Sequence, residues 1–141
     1  LVTIVERKTK FMVMKKVENK TAELVAAATI DLLRPYKDRV LTITADRGTE
    51  FAQHERVAKA LSCDYYFAHP YSSWERGLNE NTNGLIRQFF LKGSSFEGIT
   101  DRMVKTVKGR LNRRPRKTLK FVTPTEAFFG KSFGENFAFQ T

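Results

Sequence analysis

Two acids stand in settings where a carboxylate could do chemistry. Asp46 follows a β-rich run at residues 40–44 in Thr42-Ile43-Thr44-Ala45-Asp46-Arg47-Gly48-Thr49-Glu50-Phe51, and Gly48 predicts a turn behind it. An acid at the carboxyl end of a strand in an α/β protein sits where such folds open their ligand crevices. Glu80 lies within Trp74-Glu75-Arg76-Gly77-Leu78-Asn79-Glu80-Asn81-Thr82-Asn83-Gly84-Leu85-Ile86-Arg87-Gln88-Phe89-Phe90. On a helix, where successive residues turn by about 100°, Leu78, Leu85, Ile86 and Phe89 share one side with Thr82. Arg76, Glu80, Asn83 and Arg87 stack on the other. The first side reads as core, and the second holds one carboxylate among cations and amides. A solvated face with surface ion pairs is the plain alternative. Against it, the amides at 79, 81 and 83 and Gly84 are poor helix formers, so they serve something besides helicity. Arg76, Asn79, Asn83 and Arg87 suit phosphate and base-edge contacts.

The elements that must position these residues are legible from pattern. Residues 1–5 and 11–17 read as two strands of an antiparallel hairpin across the charged turn at 6–10. Asn19 or Thr21 can cap a helix reaching Leu33, with Leu24, Val25, Ala28, Leu32 and Leu33 at the helical period and Pro35 as its stop. Residues 40–44 are a third strand, 54–61 a short helix and 64–68 a fourth strand. A loop at 70–73 leads into the Glu80 helix, and 92–98 is a Gly/Ser break. Another helix spans 101–111 with Met103, Val104, Val107 and Leu111 on one side, and Thr123-Pro124-x-Glu126 starts a last one. The Phe-rich tail, 131–141, is aperiodic and receives no element, so the domain is drawn at 1–130.

Composition narrows the partner. The chain has 141 residues, 41% of them hydrophobic, enough for one domain with its own core. Lys and Arg number 25 against 15 Asp and Glu, a net charge of +10 with a pI near 9.9. That excess points to a polyanion, most simply nucleic acid. Neither a basic amphipathic anchor nor an apolar run long enough for a bilayer is present, and no signal peptide is visible. A chain beginning at Leu1 is expected to be a fragment, and the expected compartment is the cytoplasm. The single Cys63 allows no internal disulfide and no cysteine metal cluster, and it reads as a small buried hydrophobe. The Arg110, Arg113, Arg114, Arg116 and Lys117 block is either a solvated face or a DNA contact. In a chain this basic, we read it as the latter.

Taken together, the strand-end Asp46-x-Gly48, the 33 residues between Asp46 and Glu80, and Gly77-x-x-Glu80 resemble the catalytic core of the Asp-Asp-Glu transposases and retroviral integrases. The likeness is closest to bacterial insertion-sequence transposases of the insertion sequence thirty type. It rests on Asp-Arg-Gly-Thr-Glu at 46–50, Trp-x-Arg-Gly-x-Asn-Glu-Asn-Thr-Asn-Gly at 74–84 and Asn-x-Arg-Pro-Arg-Lys-x-Leu at 112–119, and covers the chain to about Gly130. The resemblance implies a ribonuclease H-like mixed sheet flanked by helices. It also implies metal-dependent phosphodiester cleavage and DNA strand transfer, with transposon ends and target DNA as partners and a homo-oligomer as the assembly. Asp46 and Glu80 would then be catalytic metal ligands, for two Mg²⁺ or Mn²⁺ ions about 4 Å apart, with their carboxylates roughly 4–8 Å from each other in the absence of metal. The DNA-binding set would be Arg76, Asn79, Asn83, Arg87, Arg113, Arg114, Arg116 and Lys117. A ribonuclease H-type or junction nuclease of the same fold is the rival enzyme, and a non-catalytic DNA-binding or assembly module the rival from another class.

In that family a first catalytic Asp lies on a strand just before the one at residues 1–5. Here no Asp precedes Asp31, which falls on a predicted helix. The fold is therefore expected to lack its first strand, leaving the strands at 1–5 and 40–44 either to close on each other or to recruit a strand from a second copy, and the chain to be inactive. Weaker candidates are His69 for a phosphate or a backbone bond, His54 as a surface residue or helix start, Glu50 for a metal or a solvated turn, and Trp74 for base stacking or loop packing.

Overall fold

Among the described residues five strands form one mixed sheet, in the order β2 (Met12–Lys15), β1 (Val2–Glu6), β5 (Phe137–Gln140), β3 (Val40–Ala45), β4 (Asp64–Phe67). The structure, a computed structural model, describes residues 1–68, 82, 84–90, 98–130 and 137–141, with backbone alone at 118 and 137. β1 (Val2–Glu6) and β2 (Met12–Lys15) make the anticipated antiparallel hairpin, Val5 opposite Met12. Strand alternation sends Val2, Ile4 and Val13 into one core and Val5, Met12 and Met14 into another across the sheet. Glu6 ties the turn: its buried Oε2 accepts from the amides of Lys8 at 3.0 Å and Thr9 at 2.6 Å and from the Thr9 hydroxyl at 2.6 Å.

α1 (Ala22–Leu33) starts at Thr21, whose hydroxyl accepts from the Leu24 amide at 3.3 Å. Its buried stripe is Val25, Ala26, Ala28, Thr29, Ile30 and Leu33. Leu24, expected in the core, sits in the first turn facing solvent at 38% exposure, and Leu32 is half-buried. Pro35 does not end helical structure outright. The chain tightens into a 3₁₀ segment, Arg34–Arg39, with the proline at its start, where a missing N–H costs nothing. β3 (Val40–Ala45) and, after α2 (His54–Leu61), β4 (Asp64–Phe67) pair in parallel with Ile43 opposite Tyr65. Ser62 closes α2 in the left-handed conformation, φ 52°.

α3 (Asp101–Asn112), capped by the Thr100 hydroxyl, buries Val104, Val107 and Leu111. Met103, read from sequence as part of that side, falls at the edge of the arc and is 43% exposed. α4 (Pro124–Phe129) begins on a full Thr123/Glu126 capping box. The first core takes side chains from α1, α2 and Phe128 of α4, while the second takes Ile86, Ile99 and α3. Helices therefore cover both faces of the sheet.

The position expected to be vacant is filled. β5 (Phe137–Gln140) lies between β1 and β3, antiparallel to β1 with Glu6 opposite Phe139, and parallel to β3 with Ile43 opposite Phe139 and Thr44 opposite Gln140. The Arg7 amide donates to the Ala138 carbonyl and the Thr141 amide to the Thr44 carbonyl, each at 2.9 Å. Neither expected alternative, closure of β1 on β3 or a strand from a second copy, is what this chain does. Ladder hydrogen bonds are indifferent to sequence distance, so any segment able to place an apolar residue on the core face can take the slot. Phe139, 1% exposed in the first core, does so.

Candidate nucleic-acid and metal site

β3 delivers Asp46 to its carboxyl end, as the sequence predicts, and leaves it half-buried. Its negative charge reaches Tyr65 of β4. Burial first, then Asp46, then Cys63, push the Tyr65 phenol well above its ordinary range. Behind Asp46 the chain makes a 3₁₀ turn, Thr49–Phe51. Gly48 is not there for a left-handed turn, since its φ is −95°. Rather, a β-carbon at Gly48 would stand 2.9 Å from the Glu50 carboxylate, so the absent side chain lets Glu50 fold back over the loop. An open depression beside it is bounded by Arg47, Thr49, Phe51, His54 and Phe67. His54 is the first residue of α2 and packs edge-on to Phe67, ring centroids 4.9 Å apart.

Among the described residues no group of three His, Cys, Asp or Glu side chains could hold a metal ion. Asp46 is a hard oxygen donor of the right kind for Mg²⁺, and the described residues set no second acid beside it as part of such a group. The side chains that the neighbouring strand end brings are those of Gln140 and Thr141, neither of them a carboxylate. Glu80, Arg76, Asn79, Asn83, His69 and Trp74 lie outside the described residues. What is described of their stretch has the anticipated sidedness. Residues 84–87 are helical, Thr82 and Ile86 are buried, Leu85 and Phe89 are half-buried, and Arg87 is exposed.

The basic block emerges from the end of α3. Gly109 makes room for Arg113, since a β-carbon there would stand 2.7 Å from Arg113 Nη1. Arg114 lies over the Phe89 ring, 5.9 Å from its centroid, and its Nη1 donates to Gln88 Oε1 at 3.5 Å. Thus Arg114 joins the block to the 84–90 segment that carries Arg87. Burial, then the positive charge of Arg114, lower the Arg116 pKa. The Arg116 Nε is buried with no hydrogen-bond partner among the described residues. The ion pairs found among those residues both involve Asp31, with Lys15 at 3.0 Å and Arg34 at 3.9 Å. Arg113, Arg114, Arg116 and Lys117 are thus like charges close together in the chain, none of them salt-bridged to a carboxylate among the described residues. Asn112 anchors the block to the sheet through its side-chain amide, a role that its residue type does not announce. Its one sequence signal is its place at the head of the Asn-x-Arg-Pro-Arg segment. Cys63 is half-buried rather than fully buried, with its thiol pushed up by burial and then by Asp64. No helix of the described residues is long and apolar enough to cross a membrane.

No protein-family model matches the chain. Among curated proteins it is 47% identical over 128 residues to the transposase for insertion sequence element IS4351 of Bacteroides fragilis, covering 91% of this chain and 39% of that protein. It is 41% identical over 128 residues to transposase InsI for insertion sequence element IS30A of Escherichia coli (strain K12), covering 89% of this chain and 33% of that one. Among solved structures, the catalytic core domain of BIV integrase superposes with a TM-score of 0.70 at 21% identity, over 91% of this chain and 84% of that chain. The simian T-cell lymphotropic virus intasome superposes with a TM-score of 0.72 at 15% identity, over 92% and 53%. The chain spans well under half the length of the transposases it matches. It is a homologue of the insertion-sequence transposases, IS30 included, and has the ribonuclease H-like fold of the integrase catalytic cores.

Proposed function

We propose that this chain is the catalytic core of a DNA transposase, serving phosphodiester cleavage and strand transfer between transposon ends and target DNA in the bacterial cytoplasm. The observation that carries the reading is Asp46 at the carboxyl end of β3 in a chain homologous to transposases. Asp46 and Glu80 are the acids we assign to Mg²⁺ or Mn²⁺, converging to within roughly 4–8 Å. Two such ions, when bound, would activate the attacking oxygen and stabilise the leaving one. The protein's own part is to hold the strand. Arg87, Arg113, Arg114, Arg116 and Lys117, with Arg76, Asn79 and Asn83, neutralise phosphates and set the DNA register. Assembly as a homo-oligomer is part of the same reading.

A second reading has its own support. With β5 in the sheet, the strand end beside Asp46 carries Gln140 and Thr141 and no acidic side chain. In this arrangement the chain binds DNA and does not cut it, acting as a DNA-binding or assembly module. Strand-transfer and cleavage assays with Mg²⁺ on the full-length transposase polypeptide and on the 141-residue chain test both readings. Activity in the longer protein alone supports the core assignment together with the inactivity of this arrangement. Cleavage by the 141-residue chain overturns the second reading, and absence of activity in both overturns the first.

A further inference from the structure

The basic block runs into a small loop closed on itself. The Arg116 amide donates to the Val122 carbonyl at 3.1 Å, and the Phe121 amide donates back to the Arg116 carbonyl at 2.8 Å. Inside the loop, Lys117–Leu119 is a 3₁₀ turn whose bonds Lys120 N–H to Lys117 C=O and Val122 N–H to Leu119 C=O are both 3.1 Å. Closing so tight a loop forces two consecutive side-chain-bearing residues into the left-handed region, Lys120 at φ 54° and Phe121 at φ 66°. For a bulky aromatic this is a true outlier, and such strain concentrates at ligand clamps.

What the loop holds up is a bare ring. Phe121 is 70% exposed, the most exposed large hydrophobic among the described residues. Phe129 is also exposed, at 57%, but its ring packs edge-on against Phe11, Tyr36 and Phe128. Phe121 enters none of the ring contacts found among the described residues. The 116–122 loop that carries it also holds Arg116, Lys117 and Lys120, none of them salt-bridged among the described residues, with the exposed Val122 beside the ring. Aromatic rings interleaved with unpaired cations are the makeup of single-strand nucleic-acid surfaces, where phosphates take the charges and bases stack on the rings. The occupant that suits these charges is a polyanion, which the chain's net charge of +10 also favours.

We propose that Phe121 is a base-stacking residue: the 116–122 loop offers its ring to an unpaired nucleobase of a DNA strand whose phosphates lie along Arg113, Arg114, Arg116, Lys117 and Lys120. A base inside a duplex already stacks on both faces, so the ring engages a base that strand opening has freed. The inference rests on the DNA reading of the basic block and names the form of DNA it takes.

The test measures binding of the 141-residue chain to a labelled oligothymidylate and to a labelled duplex of equal length, by fluorescence anisotropy across a salt series. Phe121→Ala weakens single-strand binding by about tenfold, the order of one lost stacking contact, leaves duplex binding nearly unchanged and keeps the salt slope. Phe121→Tyr retains the single-strand affinity. Replacing the thymidines by abasic sites reproduces the loss and removes any further effect of Phe121→Ala. Equal affinity of wild type and Phe121→Ala for the single strand overturns the inference, as does an equal loss on both DNAs. So does a change confined to self-association in light scattering. The variant with Arg113, Arg114 and Arg116 all replaced by Ala separates the two levels. If it binds DNA like wild type, the DNA reading of the block falls and takes the stacking role with it. If it binds weakly while Phe121→Ala binds like wild type, the stacking role alone falls.

Discussion

Asn112 clamps the end of α3 to the edge of the sheet with both arms of its amide: Oδ1 accepts from the Met12 N–H at 2.9 Å, and Nδ2 donates to the Met12 carbonyl at 2.7 Å. β2 is an edge strand, so the outward backbone groups of Met12 have no strand to pair with. Both residues are buried, which makes unpaired groups there expensive. The same clamp sets where Arg113 and Arg114 begin. Asn112→Ala should lower unfolding stability by about 1–3 kcal/mol, the cost of stranded buried polar groups. Urea denaturation followed by circular dichroism reads this directly, and an unchanged midpoint would show that water replaces the amide without loss.

Phe139 is the residue that makes β5 a core strand. It is buried against Ile43 and Phe128 in the first core while its backbone pairs on both sides. Phe139→Ala should cost about 3–5 kcal/mol, typical of a buried aromatic truncated in a packed site. Thermal unfolding of the 141-residue chain measures it. A loss under 1 kcal/mol, well below the range for such truncations, would show that β5 contributes little to the sheet.

Binding to duplex DNA of arbitrary sequence should be largely electrostatic. Affinity should fall steeply with salt as phosphates release their counterions. Replacing Arg113, Arg114 and Arg116 together should weaken binding across sequences without selecting among them, and flatten the logarithmic salt slope by up to about 3. A salt-independent affinity would point away from a phosphate backbone as the partner.

Asp46→Asn and Glu80→Gln each keep shape and remove a negative charge. In the full-length transposase polypeptide, either change should abolish both cleavage and joining while DNA affinity stays within about twofold, since neither side chain neutralises a phosphate. Wild-type turnover in either variant rejects its assignment as a metal ligand.

Tyr65 makes the alkaline limb of stability informative. Its ordinary pKa is 10.0, and burial, then Asp46, then Cys63, raise it in the folded chain. A raised folded value means that the unfolded chain releases this proton first. The stabilisation is therefore whole below about pH 10 and is lost as pH climbs toward the folded value. Tyr65→Phe has no proton to lose, so its stability should fall less between pH 10 and higher alkalinity than wild type does. Parallel alkaline limbs for the two proteins would show that the phenol is not held in its neutral form by the fold.

Local pattern determined most of the elements. The hairpin, α2 at its observed bounds, the Thr21 cap and the Thr123/Glu126 capping box follow from side-chain period and capping chemistry, which act over a few residues. So does the delivery of Asp46 to a strand end, because the β-branched run and the turn behind it are contiguous. Core membership at helix margins was less legible. Leu24 and Met103 match the helical period yet face solvent, since the arc that a helix buries depends on what packs against it. Three relationships belonged wholly to the tertiary structure. The insertion of β5 between β1 and β3, the Asn112 clamp on Met12, a hundred positions away, and the loop that lifts Phe121 beside Arg116 all depend on hydrogen bonds to backbone groups. A backbone group is the same at every position, so the chain announces the residues but only the folded backbone decides which of them meet.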